Sequence, residues 1–197
     1  MAHCCFVTRP QVFTMFLTWF NWKSDVLSFI EYRTPAIYHA CASALSQIDS
    51  RQAMFLRDLG LSALDALVHF KLAPLCSRRD MSMLGVIHRS VLGLGPDHFH
   101  EFIRPPWRWR TRRVVRQRHR FHLEDELTGN FLEIFRNSIF GLIRVYNLLD
   151  ASIVEATSVS IFQARCQQLL LSRALAGCDD WETTFSPRIP MYRHPLR

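Results

Sequence analysis

At 197 residues and 23.1 kDa, with 49% apolar side chains, the chain is long enough for one domain or two small ones around a packed core, which excludes wholesale disorder. Lys and Arg number 24 against 17 Asp and Glu, a net charge of +7, and 22 of the basic residues are arginine. Guanidinium groups grip phosphate oxygens through paired hydrogen bonds, so the imbalance points toward phosphate partners, although arginine-rich coding bias yields the same ratio.

Six cysteines, at 4, 5, 41, 76, 166 and 178, are too scattered for a secreted disulfide scaffold and show no zinc-knuckle spacing, so they read as reduced thiols. His3, Cys4 and Cys5 are adjacent and cannot converge on one ion without further ligands; no metal and no cofactor is expected. Val12 to Trp22 is apolar and follows Arg9, yet it is about half the ~20 residues of a spanning helix, is rich in aromatics and precedes no small-residue cleavage site. It reads as neither signal peptide nor anchor. The expectation is a chain without membrane contact, in the cytoplasm or nucleus, with residues 1–22 as a divergent N-terminal segment.

Thr34-Pro35 is a helix start, with a capping hydroxyl and a proline whose missing N–H would be unpaired anyway. Ala36 to Leu59 follows with a stripe through Ile37, Cys41, Leu45 and Ile48 and a displaced set at Phe55, Leu56 and Leu59; one bent helix or two abutting ones fit equally, and Gly60 ends the run. Ser62 with Asp65, and Ser77 with Asp80, have capping-box spacing and predict helices over 63–70 and 78–92. Met81, Leu84, Ile87, His88 and Val91 line the second, where His88 reads as a satisfied core histidine, and Gly93 and Gly95 stop it. Residues 23–103 thus form a helical, thumb-like segment.

From Arg104 to Arg120 the sequence RPPWRWRTRRVVRQRHR holds eight arginines and no acidic residue. The other 16 basic residues face 17 acidic ones, so the net charge is local to this stretch. A solvated helix face normally interleaves both signs, and this one does not. Arg104, Arg108, Arg110, Arg112, Arg113, Arg116, Arg118 and Arg120 are candidates for phosphate contact, and Trp107 and Trp109 for stacking on bases, which is the chemistry of single-stranded RNA or DNA binding. A bare linker is the competing reading of the same residues.

After Gly129 the apolar pattern resumes. Ile139, Leu142, Ile143, Tyr146 and Leu149 fall on one helix face, and Thr157 or Ser158 caps a helix over 159–175 ending near Gly177. Residues 121–185 are the C-terminal helical segment, and the proline-containing tail 186–197 is expected to be poorly ordered. Only Val114-Val115 and Phe131 to Phe135 carry strand signals. The fold class is mainly α: a small helical bundle in two halves joined by an Arg-rich connector.

Several stretches carry a resemblance: KSDVLSFIEYRTPAIYHA (Lys23 to Ala40), QAMFLRDL (Gln52 to Leu59), LAPL (Leu72 to Leu75), Arg78-Arg79-Asp80 and MLGVIHRSVLG (Met83 to Gly93), and in the second half Asn137-Ser138-Ile139-Phe140, Arg144, Tyr146-Asn147-Leu148-Leu149, Ser158 and Phe162. Over residues 23 to 185 they resemble the region that follows the polymerase domain in reverse transcriptases of non-long-terminal-repeat retrotransposons. Tyr146 stands where that family usually has Trp, and Asp150 where it has Pro, which would let the helix run past Leu149. The resemblance implies a fragment without the palm, whose aspartates hold two magnesium ions about 3.5 to 4 Å apart. Residues 1–22 do not resemble the family, which suggests a start codon or splice junction within a decayed or truncated element.

Other chemistry is poorly supported. Asp179-Asp180 sits at a helix end without flanking β-runs, and His119, His122 and Glu124 lie on or beside the arginine run, whose field repels a divalent cation. The expected function is therefore non-catalytic, with RNA or DNA backbone binding through Arg104 to Arg120 and self-association through helix faces left bare by the missing polymerase body. The rival is a helical protein-interaction remnant, or a gene product without selected function, that has no nucleic-acid role; a soluble enzyme is the third reading.

Overall fold

The computed structural model describes residues 18–103, 118–125 and 135–197, and these are mainly α-helical, with no strand among them. A π-helical stretch, Trp22–Leu27, runs into α1 (Ser28–Tyr32) and α2 (Thr34–Ile37). After a break come α3 (Ala42–Asp58), α4 (Ala63–Phe70), α5 (Leu75–Val91) and a 3-10 turn at Asp97–Glu101. The second half supplies α6 (Ile139–Leu148), α7 (Ala151–Val154), α8 (Val159–Leu175) and 3-10 turns at Trp181–Thr183 and Met191–Arg193.

The two halves share one core because α5, from the first, packs against both α6 and α8 of the second. Leu84, Ile87 and His88 of α5 are fully buried with Leu142, Val145 and Tyr146 of α6 and Phe162, Cys166 and Leu170 of α8. A smaller cluster of Leu27, Leu56, Ala66, Leu72 and Leu75 joins α3 and α4 to the N-terminal stretch, where Trp22 stacks on Phe55 with ring centroids 4.3 Å apart. Local signals hold where the chain has no competing tertiary partner. Ser62 and Asp65 form the reciprocal capping box, Ser158 Oγ accepts from the Ile161 N–H, and Gly60 takes φ +67° just past α3, a conformation glycine adopts without a Cβ clash.

Five expectations need correction. Of the one bent or two abutting helices expected over 36–59, the structure has two, but they part at 38–41 rather than near the displaced Phe55 set, and there Tyr38 is fully buried and donates its hydroxyl to Asp80 at 2.8 Å. Thr34 caps nothing, since its hydroxyl donates to the Ile30 carbonyl. Ser77 and Asp80 do not form a cap: α5 starts earlier, after Pro74, and places both residues inside the helix as its third and sixth, with Ser77 donating to the Glu182 carbonyl. Losing proline at 150 does not extend α6, because Leu149 turns extended (ψ 150°) to bury its side chain and Asp150 then starts α7. The tail from Ser186 is packed rather than loose: Met191 and Leu196 lie on the core, His194 is buried, and Arg173 holds the Pro195 carbonyl at 3.0 Å. Of the two strand candidates, Val114-Val115 and residues 131–134 lie outside the described residues.

Candidate nucleic-acid interface

Arg104, Trp107, Arg108, Trp109, Arg110, Arg112, Arg113 and Arg116 lie outside the described residues, whereas Arg118 and Arg120 are within them. The two have different surroundings. Arg118 Nη1 donates to the carbonyls of Leu148 and Leu196, both at 2.8 Å, and its Nη2 to that of Arg197 at 3.3 Å. Its guanidinium thus ties the last turn of α6 to the C-terminal tail, where carbonyls left without helical donors attract a cation. Arg120 sits 4.7 Å over the Phe121 ring and 3.4 Å from Glu155, with its side chain 70% exposed, so it keeps most of its donors toward solvent.

The segment 118–123 is fastened along α6. Asn147 does this with both ends of its amide: Oδ1 accepts from the Leu123 N–H at 2.8 Å and Nδ2 donates to the Leu123 carbonyl at 2.9 Å. A buried asparagine here mimics a strand neighbour and satisfies a backbone unit that has no other secondary-structure partner. His119, also buried, donates through Nε2 to the Tyr146 carbonyl at 3.2 Å. Burial pushes the His119 and His122 pKa values down, which favours neutral rings beside the arginines. Nothing in the run's composition signalled Arg118 as an anchor; Asn147, a polar residue inside an apolar helical stripe, was the one available hint.

Beneath this layer Tyr146 meets His88. The His88 Nε2 faces the Ala156 carbonyl at 3.0 Å and must carry the proton, so Nδ1 accepts the Tyr146 hydroxyl at 3.0 Å, while the ring stacks on Phe162 at 4.3 Å. Burial lowers the His88 pKa and favours this neutral form. The histidine is hydrogen-bonded at both nitrogens and buried, a core residue as its stripe position predicted. Across α5, the fully buried Asp80 takes the Tyr38 hydroxyl, and Arg188 from the tail donates to the Tyr38 carbonyl at 3.1 Å. Desolvation pushes the Asp80 carboxyl up to about 7, against the pull of Tyr38, Arg188 and Arg79. Arg79 itself forks onto Asp49 at 2.6 and 2.8 Å.

Two of the remaining chemical candidates, Asp180 and Cys76, are engaged in structural contacts. Asp180 accepts from Arg173 at 2.8 Å, and burial raises the Cys76 thiol to about 11 and that of Cys166 higher still, so these two thiols stay protonated near neutral pH. Among the described residues, no group of three His, Cys, Asp or Glu side chains is placed to hold a metal ion, and no helix is long and apolar enough to cross a membrane. Compared with protein-family models, curated proteins and solved structures, the chain matches none.

Proposed function

We propose that this chain is a non-catalytic helical fragment, resembling the thumb-proximal and C-terminal region of a retroelement RNA-directed DNA polymerase, that binds the backbone of single-stranded RNA or DNA through residues 104–120. One observation carries the reading: eight arginines and no carboxylate in one short stretch, in a chain otherwise balanced at 16 basic against 17 acidic residues. Arg104, Arg108, Arg110, Arg112, Arg113 and Arg116 meet phosphates, the exposed Arg120 joins them, and Trp107 and Trp109 stack on bases. Arg118 serves as the fixed end of the segment, since three carbonyls already occupy it. Support from the fold lies in that fixed end: a segment fastened to α6 by Asn147 and Arg118 loses less freedom on binding than a free tail.

The test replaces Arg110, Arg112, Arg113 and Arg116 together with Ala. Binding of mixed-sequence single-stranded oligonucleotides at 50 to 200 mM salt should weaken about equally for every sequence, because phosphates carry no sequence information. Unchanged affinity refutes the reading. The protein-interaction alternative is favoured by a separate observation, the exposure of Phe20, Phe29 and Tyr32 (59%, 57% and 87%) near the N-terminal helices; self-association is expected under both readings, and the alternative predicts it without salt-dependent nucleic-acid binding.

A further inference from the structure

We propose that residues 191–197 form an acid-released strap whose trigger is the buried imidazole of His194. Beyond the 3-10 turn at Met191–Arg193 this stretch has no helix, and side chains from elsewhere in the chain hold its backbone down. Arg118 reaches the carbonyls of Leu196 and Arg197 at 2.8 and 3.3 Å, and Arg173 of α8 reaches that of Pro195 at 3.0 Å. Met191 and Leu196 are only partly buried on the core. Just upstream, Arg188 is tied separately: it donates to the Tyr38 carbonyl at 3.1 Å and stands 5.5 Å over the tyrosine ring. The chain is thus pinned on the near side of Pro190 and free to hinge beyond it.

His194, 3% exposed, closes the strap's last turn by accepting the Leu196 N–H on Nδ1 at 3.3 Å. Nδ1 is therefore bare and Nε2 carries the proton, where it is buried without a hydrogen-bond partner. A second proton from solvent enters only at Nδ1. There it replaces an acceptor with a donor facing the Leu196 N–H, and it creates a buried cation near the Arg173 guanidinium, whose Nε is itself buried and unpaired. The surrounding groups offset this only in part. Burial, the largest effect, pushes the His194 pKa down and Arg173 adds to it, against the Ser186 carbonyl, which lies outside hydrogen-bonding geometry, and Asp180, which already accepts from Arg173 at 2.8 Å. Once the strap opens, the ring stands in water with an ordinary pKa of about 6.5, so the open form takes up the proton that the closed form refuses. Opening leaves Arg118 on the Leu148 carbonyl and Arg173 on Asp180, so the strap covers two guanidinium groups that acid uncovers.

The experiment is hydrogen exchange of the full chain read by mass spectrometry at about pH 7.5, 6.5 and 5.5, corrected for the intrinsic exchange rate at each pH. It compares the opening constant of a peptide over 191–197 with that of one over 162–170 in α8, where Phe162, Cys166 and Leu170 are fully buried and report opening of the whole chain. With one proton taken up on opening, the strap's constant should rise about threefold to tenfold from pH 7.5 to pH 5.5, and the strap should stay less protected than α8 throughout. His194→Asn sets an amide oxygen where Nδ1 stands, keeps an acceptor for the Leu196 N–H and cannot titrate, so it should flatten the strap's pH dependence. The two peptides are compared within the parent chain, so the parent decides the matter even where the variant does not fold. A strap constant that changes less than about twofold over this range overturns the proposal. So does an equal rise in His194→Asn, which would place the trigger elsewhere, and so do strap and α8 peptides that exchange together, which would mean that acid opens the whole chain.

Discussion

Replacing Asn147 with Ala tests how the foot of the arginine segment is fastened. The asparagine is buried, and its amide supplies the partners of both the N–H and the C=O of Leu123, itself 3% exposed. Truncation leaves two buried backbone groups unpaired at roughly 1 to 3 kcal/mol each. Water admitted to the space vacated by the amide recovers part of that, so the expected loss is about 2 to 4 kcal/mol. Urea unfolding should show a lower midpoint at unchanged slope, and thermal unfolding a drop of about 2 to 4 °C for each kcal/mol in a chain of this size. Gln52 provides a matched case on the other side of the molecule, with Oε1 accepting from Leu75 N–H at 2.7 Å and Nε2 donating to the Ala73 carbonyl at 3.1 Å, and Gln52→Ala should cost a similar amount. An Asn147→Ala variant within about 0.5 kcal/mol of the parent, the ordinary scatter of surface substitutions, would show that the 118–123 segment is not held in this way.

Tyr146→Phe removes the hydroxyl that meets His88 Nδ1 and should destabilise the chain by about 1 to 2 kcal/mol in urea; a variant as stable as the parent would refute a stabilising Tyr146–His88 hydrogen bond. Asp80 gives a pH test with a definite sign. Its carboxyl is raised to about 7 in the folded chain, so between about pH 4 and pH 7 the native state holds a proton that the unfolded state has released, and stability from this group falls as pH rises through that window. His88, His119, His122 and His194, whose pKa values burial lowers, act in the opposite sense and lose stability as pH falls below their ordinary value of about 6.5. Subtracting the Asp80→Asn profile from the parent isolates the first effect, and a difference that does not decline between pH 4 and pH 7 would contradict it. Given template, primer, nucleotides and magnesium, the purified chain should extend nothing above a mock preparation, and incorporation that copurifies with it would reject the fragment reading.

Helices whose boundaries depend on neighbours in sequence were legible: Ser62 with Asp65 and Ser158 cap where their spacing predicted, and the α4 and α8 spans, Ala63–Phe70 and Val159–Leu175, fall on the predicted ranges. The same Ser-x-x-Asp spacing at 77 and 80 failed because α5 lies at the centre of the molecule. There a buried tyrosine 42 residues upstream and a carbonyl 105 residues downstream compete for those side chains and win over a local cap. The tail misled for a related reason: it has no periodic stripe, yet arginines at 118 and 173 bond its carbonyls, an attachment that no local pattern encodes. In the candidate interface the charge was plain in the sequence, but the division of labour between Arg118, an anchor, and Arg120, exposed, depends on where α6 ends in space.

The salt dependence of single-strand binding by the unmodified chain tests the central claim most directly. With Arg118 held by carbonyls, seven guanidinium groups of the run remain for phosphates. At about −0.7 per contact on single strands, the slope of log affinity against log salt should approach about −5 if all seven engage. Changing Trp107 and Trp109 to Ala should weaken binding by about 1 to 3 kcal/mol per stacked base at nearly the same slope, since stacking releases no counterions. A slope near zero between 50 and 200 mM salt would mean that the arginine run is a linker and that the nucleic-acid reading is wrong.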